Sequence, residues 1–140
     1  MLMRYKKIKE GATTPTRGHE DDAGWDLYTL GRVVIPPRSY KEIPTGIAVD
    51  FPICVWGRIT GRSSTSRNLG LMVIEGIIDT GYKGELYIRA YNPGIAEVIS
   101  DDGWRVAQMI PHLRIDLEWE ETHNLQDSGR GNHGFGSTGR

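Results

Sequence analysis

The sequence has one cysteine, almost no net charge, no long apolar run and no stretch of helical periodicity. Each shortage removes a class of protein. A lone cysteine cannot close an internal disulfide, which excludes a small secreted fold stapled by bridges. Cys54 lies in the apolar run 51–56 and reads as a buried, inert thiol. The formal net charge is -1, from 17 Lys and Arg against 18 Asp and Glu. Nucleic-acid binding needs a basic face, so no nucleic-acid partner is expected. No apolar run approaches the ~20 residues of a membrane span, so no membrane partner is expected either. The opening MLMRYKKIKE is basic without an apolar stretch behind it, unlike a signal peptide. The chain therefore reads as intracellular, with a cytoplasmic location.

What is present is a strand pattern. Short segments rich in Ile, Val, Tyr and Trp are punctuated by Gly, Pro and Asn: RVVI (32–35), KEIPTGIAVDF (41–51), CVWGRIT (54–60), LGLMVIEGIID (69–79), GELYIRAYN (84–92), AEVIS (96–100), RVAQMI (105–110) and LRIDLEW (113–119). ELYIRAY alternates, with Leu86, Ile88 and Ala90 on one face and Tyr87, Arg89 and Tyr91 on the other. A single helical turn fits at 63–67, opened by serines that would cap it. An all-β domain of jelly-roll type is expected over 1–122. Residues 123–140, rich in Gly, Ser, Asn and Arg, cannot bury enough apolar area to fold alone and read as a flexible C-terminal arm.

Five stretches carry chemistry. In AGWDL (23–27), Asp26 sits between apolar neighbours and needs a partner, either a structural arginine or one lining a site. GRSSTS (61–66) offers Arg62, Ser63, Ser64 and backbone N–H groups, the donors a phosphate wants, or is simply a serine-rich turn. In GIIDTGYKG (76–84), Asp79 could serve as a base for a water or close an Asx turn, and Tyr82 could pack on a ligand or on the sheet. In GWRVAQMI (103–110), strand alternation groups Arg105 with Ala107 and Met109, and places Gln108 among Val106 and Ile110, where a buried amide needs a partner. GRGNHGFGSTG (129–139) lacks the spacing of a Walker A loop. It offers Arg130, Ser137 and Thr138 to phosphates and Phe135 as a stacking plate, or is a plain polar tail.

Together and in this order the five stretches resemble the motifs of the trimeric dUTPase family. The resemblance runs from about residue 10 to the C-terminus. It implies a jelly-roll homotrimer that hydrolyses dUTP to dUMP and pyrophosphate with Mg2+, each active site drawing on three chains. It makes Asp79 the holder of the attacking water and sets Tyr82 against the deoxyribose. Val73, Gly76 and Ile78, in a hairpin running into Asp79, would frame the uracil, with Phe135 covering it. Arg62, Ser63, Ser64, Gln108, Arg130, Ser137 and Thr138 would contact phosphates. Asp26 would reach the metal through water or pair with Arg105, a structural support.

The sequence departs from the family pattern in places. Val73 stands where an Asn is frequent, Glu75 places a charge beside the uracil pocket, and Asn132 and His133 replace smaller residues. The polar run HEDD (19–22) reads as a solvated loop face rather than a metal site. Two other functions stay open. One is dCTP deamination on the same fold, for which Glu75 is the only candidate. The other is a nucleotide-sensing regulatory protein that retains the site as a switch.

Overall fold

The computed structural model describes residues 1–132. Ten strands and one short helix follow in the order β1 (Arg4–Lys7), β2 (Trp25–Tyr28), β3 (Val33–Ile35), β4 (Ser39–Asp50), β5 (Val55–Gly61), α1 (Ser63–Leu69), β6 (Met72–Ile74), β7 (Gly76–Ile78), β8 (Glu85–Asn92), β9 (Val98–Ser100) and β10 (Arg105–Leu113). They form two four-stranded antiparallel sheets, ordered β1-β4-β8-β6 and β2-β10-β5-β7, with a two-stranded β3-β9 pair. The alternation expected in β8 holds. Leu86, Ile88 and Ala90 are buried while Tyr87 and Arg89 face out. They join Ile43 and Ile47 from β4, Leu27 from β2, Ile59 from β5, and Ala107 and Met109 from β10 in one core between the sheets. Each such Leu or Ile removed from water stabilises the fold by roughly 1.5–3 kcal/mol. Among the described residues no helix is long and apolar enough to cross a membrane.

The chain departs from its simple pattern at six places. β1 was hidden because all four of its residues are exposed and polar or amphipathic. The 69–79 run is not one arm of a closed hairpin. β6 pairs with β8, then β7 crosses at Glu75 to pair with β5, so the hairpin opens where it enters the candidate site. The helix runs two residues beyond the expected turn, and its N-cap is Arg62 rather than a serine. Cys54 is half-buried, not core, and holds a left-handed backbone (φ 64) in the β4–β5 turn. LRIDLEW leaves the sheet after Leu113, so residues 114–119 have no strand partner among the described residues. β10 carries a register shift between Arg105 and Ala107, and this changes its faces. Val106 and Ala107 are both fully buried, and Arg105 is turned outward instead of sharing a face with Ala107 and Met109. One extra residue in an antiparallel strand inverts the alternation on one side of it.

A second irregularity lies between Pro44 and Ala48 of β4, opposite Tyr87 and Glu85 of β8. Gly46 there adopts φ 68, a conformation open to glycine at little cost. A side chain on Gly46 would meet Ala12 at 2.7 Å. The carboxylate of Glu85, only 8% exposed, fills the gap. It accepts the Gly46 N–H at 2.9 Å and pairs with Lys9 Nζ at 2.6 Å. Burial pushes the Glu85 carboxyl up, but hydrogen bonds from Lys9, Tyr87 and the Gly46 N–H outweigh it and leave the group below its ordinary 4.5. The hydrogen bond to Glu85 raises Lys9 above its ordinary 10.5.

The sign of the pH dependence follows. A carboxyl depressed in the folded state adds stability above its unfolded value and loses it as pH falls through the folded one. A raised lysine adds stability below its unfolded value and loses it as pH rises through the raised one. Glu85→Gln is expected to melt a few degrees below the parent at pH 7. That gap should close as pH drops below 4.5, where the parent loses the same charge. Melting curves from pH 3 to 8 check this, and a gap that stays constant with pH refutes it.

Candidate active site

The described candidate residues form two clusters at opposite ends of β5. The first is built by β10, which pairs with β2 on one side and β5 on the other. Gln108 lies in one ladder row with Asp26 of β2 and Thr60 of β5. Gly24 approaches the Gln108 amide so closely that no Cβ would fit without moving it. The amide nitrogen donates to the Gly61 carbonyl at 3.0 Å, the partner a half-buried amide requires. Asp26, 8% exposed, is held by two guanidinium groups: Arg62 Nε at 2.6 Å and Arg105 Nη1 at 3.4 Å. The expected Arg105 pairing is present, but Arg62 is the nearer partner. The sequence assigns Arg62 to phosphate contact in its own motif, and only the sheet order β2-β10-β5 brings it beside Asp26.

Arg62 is itself positioned for this. Its Nη1 donates to Ser64 Oγ at 3.1 Å and to the Arg105 carbonyl at 3.0 Å. Thr65, not foreseen as important, is buried and donates to the Val106 carbonyl at 2.6 Å, tying α1 to β10. Its hydroxyl also accepts the Arg62 N–H at 3.3 Å. Arg62, Ser64, Thr65, Asn68, Trp104 and Arg105 line a concavity of about 360 Å³, with Ser63 exposed on the adjoining helix turn. Two guanidiniums, two serine hydroxyls and one carboxylate leave the concavity net positive, a suitable setting for phosphate oxygens. Among the described residues no group of three or more His, Cys, Asp or Glu could hold a metal. His19 and Asp22 of the HEDD run are exposed, with Asp22 accepting the His19 N–H at 2.8 Å.

The second cluster is the turn from β7 to β8. Asp79 is exposed at the end of β7, and its backbone carbonyl accepts the Tyr82 N–H at 3.0 Å. Thr80 Oγ1 donates to the Val55 carbonyl at 2.6 Å, and Lys83 Nζ pairs with Asp50 at 2.6 Å. The hydroxyl end of the Tyr82 ring lies against Gly84, where a Cβ would strike it, and its hydroxyl donates to the Glu85 carbonyl at 2.9 Å. Asp79, Thr80 and Gly81 share a recess of about 420 Å³ with Trp56, Ile77 and Arg114. Trp56 stacks on His112 with ring centroids 4.5 Å apart. Upstream, Gly76 and Ile78 pair with Ile59 and Gly57 of β5. Val73 packs over Gly61, and both Val73 and Ile78 turn their side chains toward the core, leaving backbone for outward contacts.

No residue lines both recesses. Ile78 pairs with Gly57, so Asp79 lies near Trp56, whereas Arg62 follows Gly61 at the other end of the strand. Six residues of strand separate them, about 20 Å at the rise of a β-strand. Arg130 lies in a turn near the end of the described chain, and Phe135, Ser137 and Thr138 lie outside the described residues.

Comparison with known proteins places the chain in a family. The dUTPase family model matches residues 10–139. The deoxyuridine 5'-triphosphate nucleotidohydrolase of Clostridioides difficile is 39% identical over 139 residues, covering 98% of this chain and 97% of that one. The structure of the Staphylococcus bacteriophage 80alpha dUTPase with dUPNHPP, from work on phage dUTPases that control transfer of virulence genes, superposes with a TM-score of 0.94. It is 27% identical, with 99% of each chain covered. A variant dUTPase from phage phi11 of S. aureus, whose structure reveals the coordination of a structural Mg(II) ion, gives a TM-score of 0.84 at 25% identity, covering 89% of this chain and 98% of that one. With a family model matched over residues 10–139 and a relative 39% identical over 139 residues, the chain belongs to the dUTPase family.

Proposed function

We propose that the chain is a dUTP diphosphatase, releasing dUMP and pyrophosphate. The observation that carries this reading is the Asp79–Glu85 turn. It presents an exposed carboxylate and, three residues on, a tyrosine ring whose hydroxyl end is held between Gly84 and the Glu85 carbonyl. In this reading Asp79 orients a water and takes its proton as the oxygen bonds to the α-phosphorus. The bond from that phosphorus to the bridging oxygen breaks, and pyrophosphate leaves. Tyr82 packs on the deoxyribose and leaves no room for a 2′-hydroxyl. Backbone at Val73, Gly76 and Ile78 reads the uracil, which would leave Val73 tolerable where an Asn is frequent. Arg62, Ser63, Ser64 and Gln108 bind phosphate oxygens. Residues 123–140 serve as an arm whose Arg130, Ser137 and Thr138 close on the γ end, with Phe135 over the base.

The donor set suits Mg2+ that arrives on the triphosphate, because Asp26 is committed to two arginines and can reach a metal only through water. When bound, the ion would neutralise phosphate charge. The two clusters lie about 20 Å apart on one chain by strand rise, a separation that contact between copies would close. A homotrimer with sites at its interfaces satisfies this. It would also cover apolar surface that one chain leaves open. Tyr40, Tyr91 and Met72 form a row across the outer face of the first sheet. Ile115, Leu117 and Trp119 alternate with Asp116, Glu118 and Glu120 along an unpaired segment, Trp119 being 99% exposed. The role in the cytoplasm would be to limit uracil incorporation into DNA and to supply dUMP for thymidylate synthesis.

The deaminase alternative weakens in this geometry. Glu75 stands exposed at the corner where the strand changes sheets, with Arg58 Nη1 at 3.8 Å. The regulatory reading gains some support from the phage relative described as controlling transfer of virulence genes. Offering dUTP, dCTP, dTTP and UTP with Mg2+ and identifying products by chromatography tests all three. Pyrophosphate and dUMP from dUTP alone is the expected result. Uracil products from dCTP would move the assignment to the deaminase, and tight dUTP binding without turnover would move it to the switch.

A further inference from the structure

Glu85 does two things at once. Its carboxylate fills the β4 irregularity, bonded to the Gly46 N–H at 2.9 Å and to Lys9 Nζ at 2.6 Å. Its backbone carbonyl receives the Tyr82 hydroxyl at 2.9 Å. Between Pro44 and Ala48 the β4–β8 ladder is interrupted, and Glu85, the first residue of β8, pairs with Ala48 just beyond the break. Side chains reinforce this end of the ladder. Thr45 Oγ1 donates to the Leu86 carbonyl at 2.7 Å, and the buried carboxylate grips Gly46. The N-terminal loop closes the assembly, with the Ile8 N–H on the Gly46 carbonyl at 2.8 Å and the Lys9 ammonium 5.7 Å from the Tyr87 ring centroid.

We infer that the Lys9–Glu85 pair is a positioning device for Tyr82, and through it a determinant of the choice between deoxyribose and ribose. The inference rests on the dUTPase reading of the site and extends it to residues outside the five motifs and outside the turn's own contacts. A tyrosine ring that excludes one hydroxyl must be held to within a fraction of an ångström. Gly84 leaves the space that the hydroxyl end of the ring occupies, and the Glu85 carbonyl anchors that hydroxyl. The Glu85 carboxylate and carbonyl branch from one Cα, so anchoring the side chain on Gly46 and Lys9 holds that Cα in place and limits how far the carbonyl can shift. Lys9 supplies the charge that keeps the carboxylate seated.

The test compares kcat/KM for dUTP and for UTP in Lys9→Met, Glu85→Gln, Lys9→Arg and Tyr82→Phe, and in the double variants with Tyr82→Phe. Lys9→Met and Glu85→Gln are each expected to lower the dUTP-to-UTP ratio about tenfold, the scale of one disturbed hydrogen bond to a charged group. Lys9→Arg should retain the ratio. In the Tyr82→Phe background, which has no hydroxyl to place, neither change should lower the ratio further. Lys9 is 45% exposed, so Lys9→Met remains a usable variant should Glu85→Gln fold poorly. A reduced melting temperature with an unchanged ratio would make the pair structural only and overturn the inference. A further tenfold loss on top of Tyr82→Phe would overturn it too. Failure of the underlying reading looks different, because the unsubstituted protein would then show no preference for dUTP over UTP.

Discussion

Asp79→Asn is expected to bind dUTP about as tightly as the parent and to lose at least ~100-fold of its turnover. The substitution is nearly isosteric and removes only the ability to accept a proton. The turn around it does not depend on that carboxylate. It is held by the Asp79 backbone carbonyl, by Thr80 on Val55, by Tyr82 on Glu85 and by Lys83 on Asp50. Folding and ligand affinity should therefore survive while the water goes unactivated. Loss of a negative charge beside a triphosphate should, if anything, favour binding. Calorimetric titration with dUTP and a product assay on the same preparation separate the two properties. Near-normal turnover would remove Asp79 from the role of base.

Arg62→Ala should have the second large effect, through a different route. Arg62 is the closest partner of Asp26, which is nearly buried and would be left with Arg105 at 3.4 Å. Removing a charged partner from a poorly hydrated carboxylate costs about 1–3 kcal/mol of stability. The loss in catalysis should be larger, about 100-fold or more, because a preorganised donor to the phosphates disappears. Arg62→Lys distinguishes the two losses. A lysine keeps a charge near Asp26, but its single nitrogen cannot hold Asp26 while a second nitrogen reaches Ser64 and the Arg105 carbonyl, as Arg62 does through Nε and Nη1. It should recover most of the melting temperature and little of the turnover. Equal recovery of both would mean that Arg62 acts only as a counter-ion for Asp26.

The architecture was legible where side chains follow the period of a strand. Leu86, Ile88 and Ala90 show this plainly, because both faces of β8 have a definite neighbour. It was illegible where one residue breaks the period. The shift in β10 buries Val106 beside Ala107, and nothing in RVAQMI announces it. β1 is silent for another reason: an edge strand of exposed residues carries no apolar signal. The site residues declared themselves by motif, but their pairing did not. Asp26 could be seen to need an arginine, and the choice of Arg62 over Arg105 as nearest partner depends on how β5 ends beside β2 through β10. Lys9 and Glu85 lie 76 positions apart in sequence and belong to no motif, so only the fold brings them together.

The central claim is that one active site combines Asp79 of one copy with Arg62 of another. Refolding Asp79→Asn and Arg62→Ala chains together in equal amounts tests it directly. Each variant alone should be nearly inactive. If sites form between copies, random mixing places an intact Asp79 opposite an intact Arg62 in roughly a quarter of them, and about that fraction of parental activity should return. Activity that stays at the level of the separate variants, in mixed oligomers shown to have formed, would contradict the account and place the whole site within a single chain.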